Sequence, residues 1–363
     1  MSMSRQCVAV CMARNNGDVI HAFMEHLLAL FDHAVIIDHR STDGTKEYLD
    51  ALADRYPQQL SLYHFLDEGF YQSELMTWIA RNKAACREAD WLFFLDTDEF
   101  LPFGDRSAFD AALYAFRDEA VIRMPWKNLA PVTYDDSSLH ERSYYAAKQE
   151  SVFCKIAFQP GLLDPDDLIV LQGNHALQRA GSGKKLKGRH AFPLLHVPIT
   201  NREQYALKVL LIHLADISKG ADSEESFRKH RYKRIEPVER HGLNDALLNA
   251  SALHYGEKTF TIDGYGELAS NAACEHMERF AVARTKIDPV ATRFDDFPTS
   301  IVKLVGQNLL HVQPDFMSDG SWEFVIDGNR LSISPAATKA SEVSTPPTWL
   351  QRMRALFRRR QAG

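Results

Sequence analysis

Long apolar runs are missing from this chain of 363 residues. A membrane-spanning helix needs about 18 consecutive apolar residues, and the stretch that comes nearest, ALKVLLIHLADI, is broken by Lys208, His213 and Asp216. The early apolar segment VAVCMA is too short for the core of a secretion signal and runs straight into Arg14 and Asn15, so export by that route is not expected. Cysteine is scarce and odd in number. Cys7, Cys11, Cys86, Cys154 and Cys274 are widely spread, which argues against a disulfide framework and for reduced thiols in a cytoplasmic setting. Positive charge is not in excess either: 42 Lys and Arg stand against 48 Asp and Glu, a formal net charge of -6, which argues against non-specific nucleic-acid binding by the whole molecule, though not against local basic patches. There is no internal repeat, and residues 5–20 hold only Gly17, so no glycine-rich phosphate loop opens the chain.

What is present is an ordinary globular composition, 45% hydrophobic and 25% charged. The first hundred residues alternate short apolar runs with amphipathic stretches: CVAVCMA, VIHAFMEHLLALF, AVIID, TKEYLDALADRY, LSLYHFL, ELMTWIARNKAACREA and WLFFLD. A strand-helix-strand order of this kind predicts an α/β fold with a mainly parallel sheet covered on both faces. The strands are continuously apolar instead of alternating, as strands buried on both faces must be. Later strands are expected at AVIRMPW, VFCKIAF, LIVLQGNHAL and AFPLLHVPI, with RAGSGKKLKGRH as a loop between the last two. The chain then turns mainly helical. This divides it into a domain over 1–215, a mainly helical extension over 216–335 ending in a hairpin that turns at Asp327-Gly328, a linker over 336–347, and a basic amphipathic helix over 348–363.

Ligands of open parallel sheets collect beyond the carboxyl ends of the strands. Three strand ends here carry polar clusters: Arg14-Asn15-Asn16, then DHRSTDG from Asp38, then DTDE from Asp96 to Glu99. In an extended chain residues i and i+2 point the same way, so Asp96 and Asp98 are expected to present two carboxylates to one point, where oxygen ligands suit Mn or Mg. Acids at a strand end also serve as simple caps or solvated groups, and D-x-D alone does not separate these roles.

The combination is more specific than the tripeptide. MARNNGDVIHAFMEHLLALFDHAVIIDHRSTDGT, DWLFFLDTDEFL and LLHVPITNREQYALKV, in that order over roughly residues 5–215, resemble the nucleotide-sugar domain of glycosyltransferase family 2, of GT-A (Rossmann-like) fold. The resemblance implies a metal-dependent, inverting transfer of a sugar from a nucleoside diphosphate sugar, usually a UDP-sugar, to a glycan or lipid-linked acceptor. It implies that the backbone near Ala13, Arg14 and Asn15 and the side chain of Asp38 hold the nucleoside. Asp98 is then the direct metal ligand and Asp96 lies nearer the ribose or the metal's waters, while Glu99 matches the acid that often follows. A late-strand histidine often completes such a metal shell, and His196 in LLHVPI is preferred to His175 in QGNHAL. A base for the acceptor hydroxyl is sought among Asp135, Asp136 and Glu141, in the segment where the family's acceptor-side acid commonly lies. Lys155 and Lys208 match lysines of the subgroup that meet phosphate or are merely solvated.

The sequence departs from the pattern at Asn16, where Glu is usual, at His39, where Asn is usual, and at Asn201, where Ser is common. These departures keep open a degenerate protein that binds a nucleotide without turning it over. Haloacid-dehalogenase-type phosphohydrolases also place D-x-D after an apolar strand, but with Thr or Val where Phe100 stands here and near the start of the domain. Asp43 is expected to cap the helix from Thr45, His21, His26 and His33 to be surface or packing residues, and FRKHRYKR a salt-bridged helix surface. The terminal TWLQRMRALFRRR carries apolar residues on one helical face and no acid, which suits contact with the inner face of an anionic membrane.

Overall fold

The computed structural model describes residues 5–66, 70–135, 137–209, 238, 240, 242–256 and 274–295, together with the backbone of 322–326 and 329–333. The opening half follows the expected alternation: β1 (Cys7–Ala13), α1 (Ile20–Leu30), β2 (His33–Asp38), α2 (Thr45–Arg55), β3 (Leu60–Phe65), α3 (Gln72–Asn82), α4 (Ala84–Glu88) and β4 (Trp91–Leu95). After a short β5 (Glu99–Phe100) come α5 (Arg106–Tyr114), β6 (Val121–Pro131), β7 (Tyr144–Ala147), β8 (Cys154–Phe158), β9 (Leu168–Val170), β10 (Leu177–Arg179), β11 (Arg189–His190) and β12 (Leu194–His196). Residues 202–209 and Asp245–Leu253 are helical, β13 is Cys274–Met277, and β14 (Trp322–Ile326) and β15 (Asn329–Ile333) close the series.

Strands β3, β2, β1 and β4 lie side by side and parallel, and β8 and β6 continue the sheet antiparallel, giving a Rossmann-like mixed sheet. Every residue of β1 and β4 is buried. The pleat explains why both parities must be apolar. Trp91, Phe93 and Leu95 pack with Cys7, Ala9 and Cys11 on the α1 and α5 side, whereas Leu92 and Phe94 join Val8 and Val10 in a second core beneath α3. Each large side chain so buried contributes about 1.5–3 kcal/mol.

Several expectations need adjustment. The helix expected through 74–89 breaks at Lys83, whose extended backbone separates α3 from α4. The stretch LIVLQGNHAL is not one strand. Gly173 and Asn174 adopt positive φ of 77° and 58°, which turns the chain so that β9 and β10 pair antiparallel. The hairpin near the end forms with Ile326 opposite Asn329, and β14 also pairs with β3, adding this hairpin to the main sheet edge.

One strap was invisible in the sequence. Residues 280–295 run mostly without secondary structure, yet Phe280, Val282, Ala283 and Ile287 are buried in the α1 core. His26 pins this strap: Nδ1 donates to Ala283 O at 2.8 Å while Nε2 accepts from Leu101 N at 2.9 Å. Farther along, Asp295 N bonds Asp43 O, and Phe294 lies so close that a Cβ on Gly17 would come within 2.7 Å of its ring. The basic run 227–234, the expected linker and the segment 348–363 expected as an amphipathic helix lie outside the described residues.

Candidate nucleotide and metal site

The ends of β1 and β2 are interlocked by side chains that the turn needs anyway. Asn15, at φ 52°, accepts from Thr42 N through Oδ1 at 2.8 Å, and its own N–H bonds Ser41 Oγ at 2.9 Å. Asn16 turns inward, accepting from Arg14 N at 2.9 Å, while its N–H donates to Thr45 Oγ1. Asp43 accepts from Thr45 N at 3.0 Å and Gly17 N at 2.9 Å, tying the two loops together, although the N-cap of α2 is Gly44, at φ 100°, and not Asp43. Asp38 ends β2 directly opposite Ala13 and is 1% exposed. Its Oδ2 lies 3.6 Å from His64 Nδ1, and its Oδ1 has no hydrogen-bond partner among the described residues, nor does Asn15 Nδ2. Buried polar atoms left unpaired are costly, so both point to a polar partner supplied from outside the chain.

At the end of β4 the acids behave differently from the expectation. Residues 96–98 are not extended but turn tightly, with Glu99 N bonded to Asp96 O at 3.1 Å, so Asp96 and Asp98 engage separate partners. Asp96 bonds the ammonium of Lys155 through Oδ2 and accepts from Gln72 Nε2 at 3.1 Å and Asn174 Nδ2 at 3.4 Å through Oδ1. Lys155 is fully buried, also donates to Gly173 O at 2.8 Å, and lies 3.3 Å from Glu99 Oε1. It is therefore neither solvated nor free for phosphate. Desolvation works against its charge, but Asp96 and Glu99 outweigh it and hold the ammonium protonated. Glu99 is completely buried, accepts from Trp126 Nε1 at 2.8 Å and from Asp96 N at 2.9 Å, and has its pKa pushed up by that burial against the pull of Lys155.

Asp98 faces the other way. The β12 strand pairs antiparallel with β5, setting His196 opposite Glu99, and Val197 N bonds Asp98 O at 2.8 Å. That ladder brings His196 Nε2 to 3.8 Å from Asp98 Oδ1, while Lys208 Nζ reaches Asp98 Oδ2 at 2.9 Å. Burial alone would raise the Asp98 pKa, but Lys208 and His196 overcome it and bring the value down to about 2.

The tautomer of His196 follows from its neighbours. Asn128, opposite His196 in the β6–β12 ladder, spends both amide hydrogens on the carbonyls of Leu253 and Tyr255, at 3.1 and 3.0 Å, which turns its Oδ1 toward the ring. His196 Nδ1 donates to that oxygen at 2.8 Å, leaving the Nε2 lone pair toward Asp98. Burial lowers the His196 pKa to about 3, so the ring is neutral at physiological pH, and Trp126 stacks on it at 4.3 Å. One ligand atom each from Asp98, Glu99 and His196 lies within 4.8 Å of the others. Ligands about 2.0–2.6 Å from a common divalent ion fit such spacing, and a mixed imidazole and carboxylate set suits Mn better than a purely oxygen-loving ion.

The remaining candidates are placed as follows. Asp96 is outside that three-residue group. His175 bonds Cys154 O through Nδ1 at 2.8 Å and packs against Trp126 and Phe153, also outside the group. Asp135 is exposed and accepts from Thr133 and Ser137, and Glu141 is exposed as well; neither lines the cleft beside Asp98. Asp136 lies outside the described residues. That cleft, about 100 Å³, is bounded by Arg14, Asn15, Asp98, Gln204 and Lys208, and by an acid the sequence reading passed over, Asp18.

No protein-family model matches the sequence, and no curated protein matches it. Among solved structures, a crystal structure of residues 1–349 of S. aureus TarS aligns over 92% of this chain and 100% of its own, with 12% identity and a TM-score of 0.34. A structure described as a mycobacterial protein aligns over 59% of this chain and 74% of its own, with 13% identity and a TM-score of 0.31. Likenesses this distant do not bear on the chemistry, which rests on the site itself.

Proposed function

We propose that this chain is a metal-dependent, inverting glycosyltransferase that takes a nucleoside diphosphate sugar, with UDP as the expected carrier, and passes its sugar to a glycan or lipid-linked acceptor. The observation that carries the reading is the pairing of Asp98 with a neutral His196 whose lone pair faces it at 3.8 Å, beside a cleft walled by the β1 loop. Asp98 and His196, with Glu99 behind them, would hold Mn or Mg. Such an ion supplies Lewis-acid neutralisation of diphosphate charge.

The chain's own groups do the rest. The unpaired Asp38 Oδ1 receives an N–H of the base, and the backbone of Ala13, Arg14 and Asn15 lies along the nucleoside. Asp96, whose side chain is 32% exposed, is fixed by Lys155, ready to accept a ribose hydroxyl. Lys208 adds a positive charge where a diphosphate would lie. No helix among the described residues is long and apolar enough to cross a membrane. The amphipathic segment 348–363 remains, on this reading, a means of reaching a membrane-borne acceptor from the cytoplasmic side.

A second reading, nucleotide binding without turnover, is favoured by Lys208 itself, which already neutralises Asp98 without an ion. Thermal denaturation with UDP, GDP, dTDP, CMP and their sugar conjugates, with Mn or with chelator, separates the two. A shift that needs both Mn and Asp98, lost in Asp98→Ala, supports the transferase. A shift that survives chelation and Asp98→Ala supports binding alone, and no shift with any nucleotide removes both.

A further inference from the structure

Asp18 follows the β1 loop just before Val19, the N-cap of α1, and nothing in the strand-end pattern distinguishes it from an ordinary acid near a helix start. Its surroundings do. Thr200 Oγ1 donates to its Oδ2, and Gln204 Nε2 donates to its Oδ1 at 2.7 Å and to Asn15 O at 3.0 Å. Each carboxylate oxygen accepts one of these bonds and keeps further acceptor capacity, and Lys208, whose charge favours the ionised form, makes its ion pair with Asp98 instead. Thr200 and Gln204 belong to the segment that leaves His196 and leads to Lys208, and Arg142 holds that segment by donating to Thr200 O. The carboxylate is thus fixed in orientation relative to Asp98 and Lys208, with which it shares one cleft.

We propose that Asp18 is a specificity-determining residue, its carboxylate receiving a hydroxyl of the donor's glycosyl ring. This rests on the glycosyl-transfer reading of the same site. The group taken must be a hydrogen-bond donor, because an ionised carboxylate offers only acceptor positions and repels phosphate. The base and ribose belong to Asp38 and Asp96, neither of which lines this cleft; it is lined by Arg14 and Asn15 from the nucleoside-binding loop and by the diphosphate-facing groups Asp98 and Lys208. The ring attached beyond the diphosphate is the part of the donor that brings hydroxyls there. Burial first, opposed by the bonds from Thr200 and Gln204, raises the Asp18 pKa and so makes the carboxylate a stronger acceptor.

The discriminating comparison is between a bare nucleoside diphosphate and its sugar conjugate, titrated calorimetrically with Mn into the full chain. In Asp18→Asn the conjugate should bind roughly tenfold to a hundredfold more weakly, as for loss of a hydrogen bond to a charged group, while the bare diphosphate binds as before. Gln204→Ala, which removes the tether but keeps the carboxylate, should retain the preference for the conjugate. If Asp18→Asn weakens both ligands equally, or if Gln204→Ala reproduces its effect, Asp18 is only a tether and the proposal is wrong. If wild type binds the bare diphosphate but gains nothing from any conjugate, the proposal fails while the nucleotide site stands. Should wild type bind neither, the transferase reading falls and this proposal with it.

Discussion

Asp96 and Asp98 stand two residues apart at the end of one strand, yet one half of this site is closed and the other open. Asp96 and Glu99 are locked around the buried ammonium of Lys155, and Gln72 and Asn174 donate to Asp96 and Trp126 to Glu99 as well. Asp98 shares a cleft with Lys208 and faces an imidazole lone pair. The closed half is a rigid foundation whose charges satisfy each other; the open half keeps acceptor capacity for a cation. Two acids with the same sequence signal thus have different work, and the difference arises from what packs against them.

Breaking the closed half should have the larger consequence. Lys155→Met leaves Asp96 and Glu99 facing one another without a cation, and removing one partner of a buried ionic group costs about 3–5 kcal/mol. Urea unfolding of wild type and variant measures it; a loss below about 1 kcal/mol would show that Lys155 is not the keystone of this half.

Acid should loosen the scaffold beneath both halves through His26. Burial lowers its pKa to about 4, from 6.5. Between those values the unfolded chain binds one more proton than the folded chain, so stability is complete above pH 6.5, declines as pH falls toward 4, and levels off below. The contribution is about 3 kcal/mol. In His26→Gln the pH dependence of unfolding over this window should flatten by that amount relative to wild type.

The open half is sharpened by its support. Asn128→Ala removes the acceptor that fixes the His196 tautomer, and such losses weaken metal affinity roughly tenfold to a hundredfold. Mn titration followed by electron paramagnetic resonance gives the number directly, and an unchanged affinity would remove His196 from the ligand set. The smallest expected effect is on stability in Asp98→Ala. Lys208 is 32% exposed and can turn to water, so the change should be within about 1 kcal/mol while Mn binding is lost. A variant that unfolds instead would place Asp98 with the closed half.

Much of the architecture was legible because the apolar runs are continuous and well separated. Cys7 to Ala13 and Trp91 to Leu95 announce strands buried on both faces, and the polar groups after them mark the ligand-bearing edge. The expectation that Asp96 and Asp98 point together failed because Glu99 N closes a tight turn onto Asp96 O, a hydrogen bond that residue types do not encode. Lys155 reads as an ordinary strand lysine, since its partners lie 59 residues away in Asp96 and across the sheet. Asp18 was passed over for the same reason: Thr200 and Gln204, which give it meaning, are more than 180 residues distant.

By itself, then, the sequence determined the alternation of strand and helix, the parallel core and the strand ends where chemistry gathers, because these depend on local periodicity and on burying apolar surface. Tertiary structure alone decided which acid is locked and which is open, and where the strap over α1 runs. Those outcomes depend on ladder register and on pairs of charged and polar groups brought together from distant parts of the chain, and such pairing leaves no periodic trace in the residues that take part.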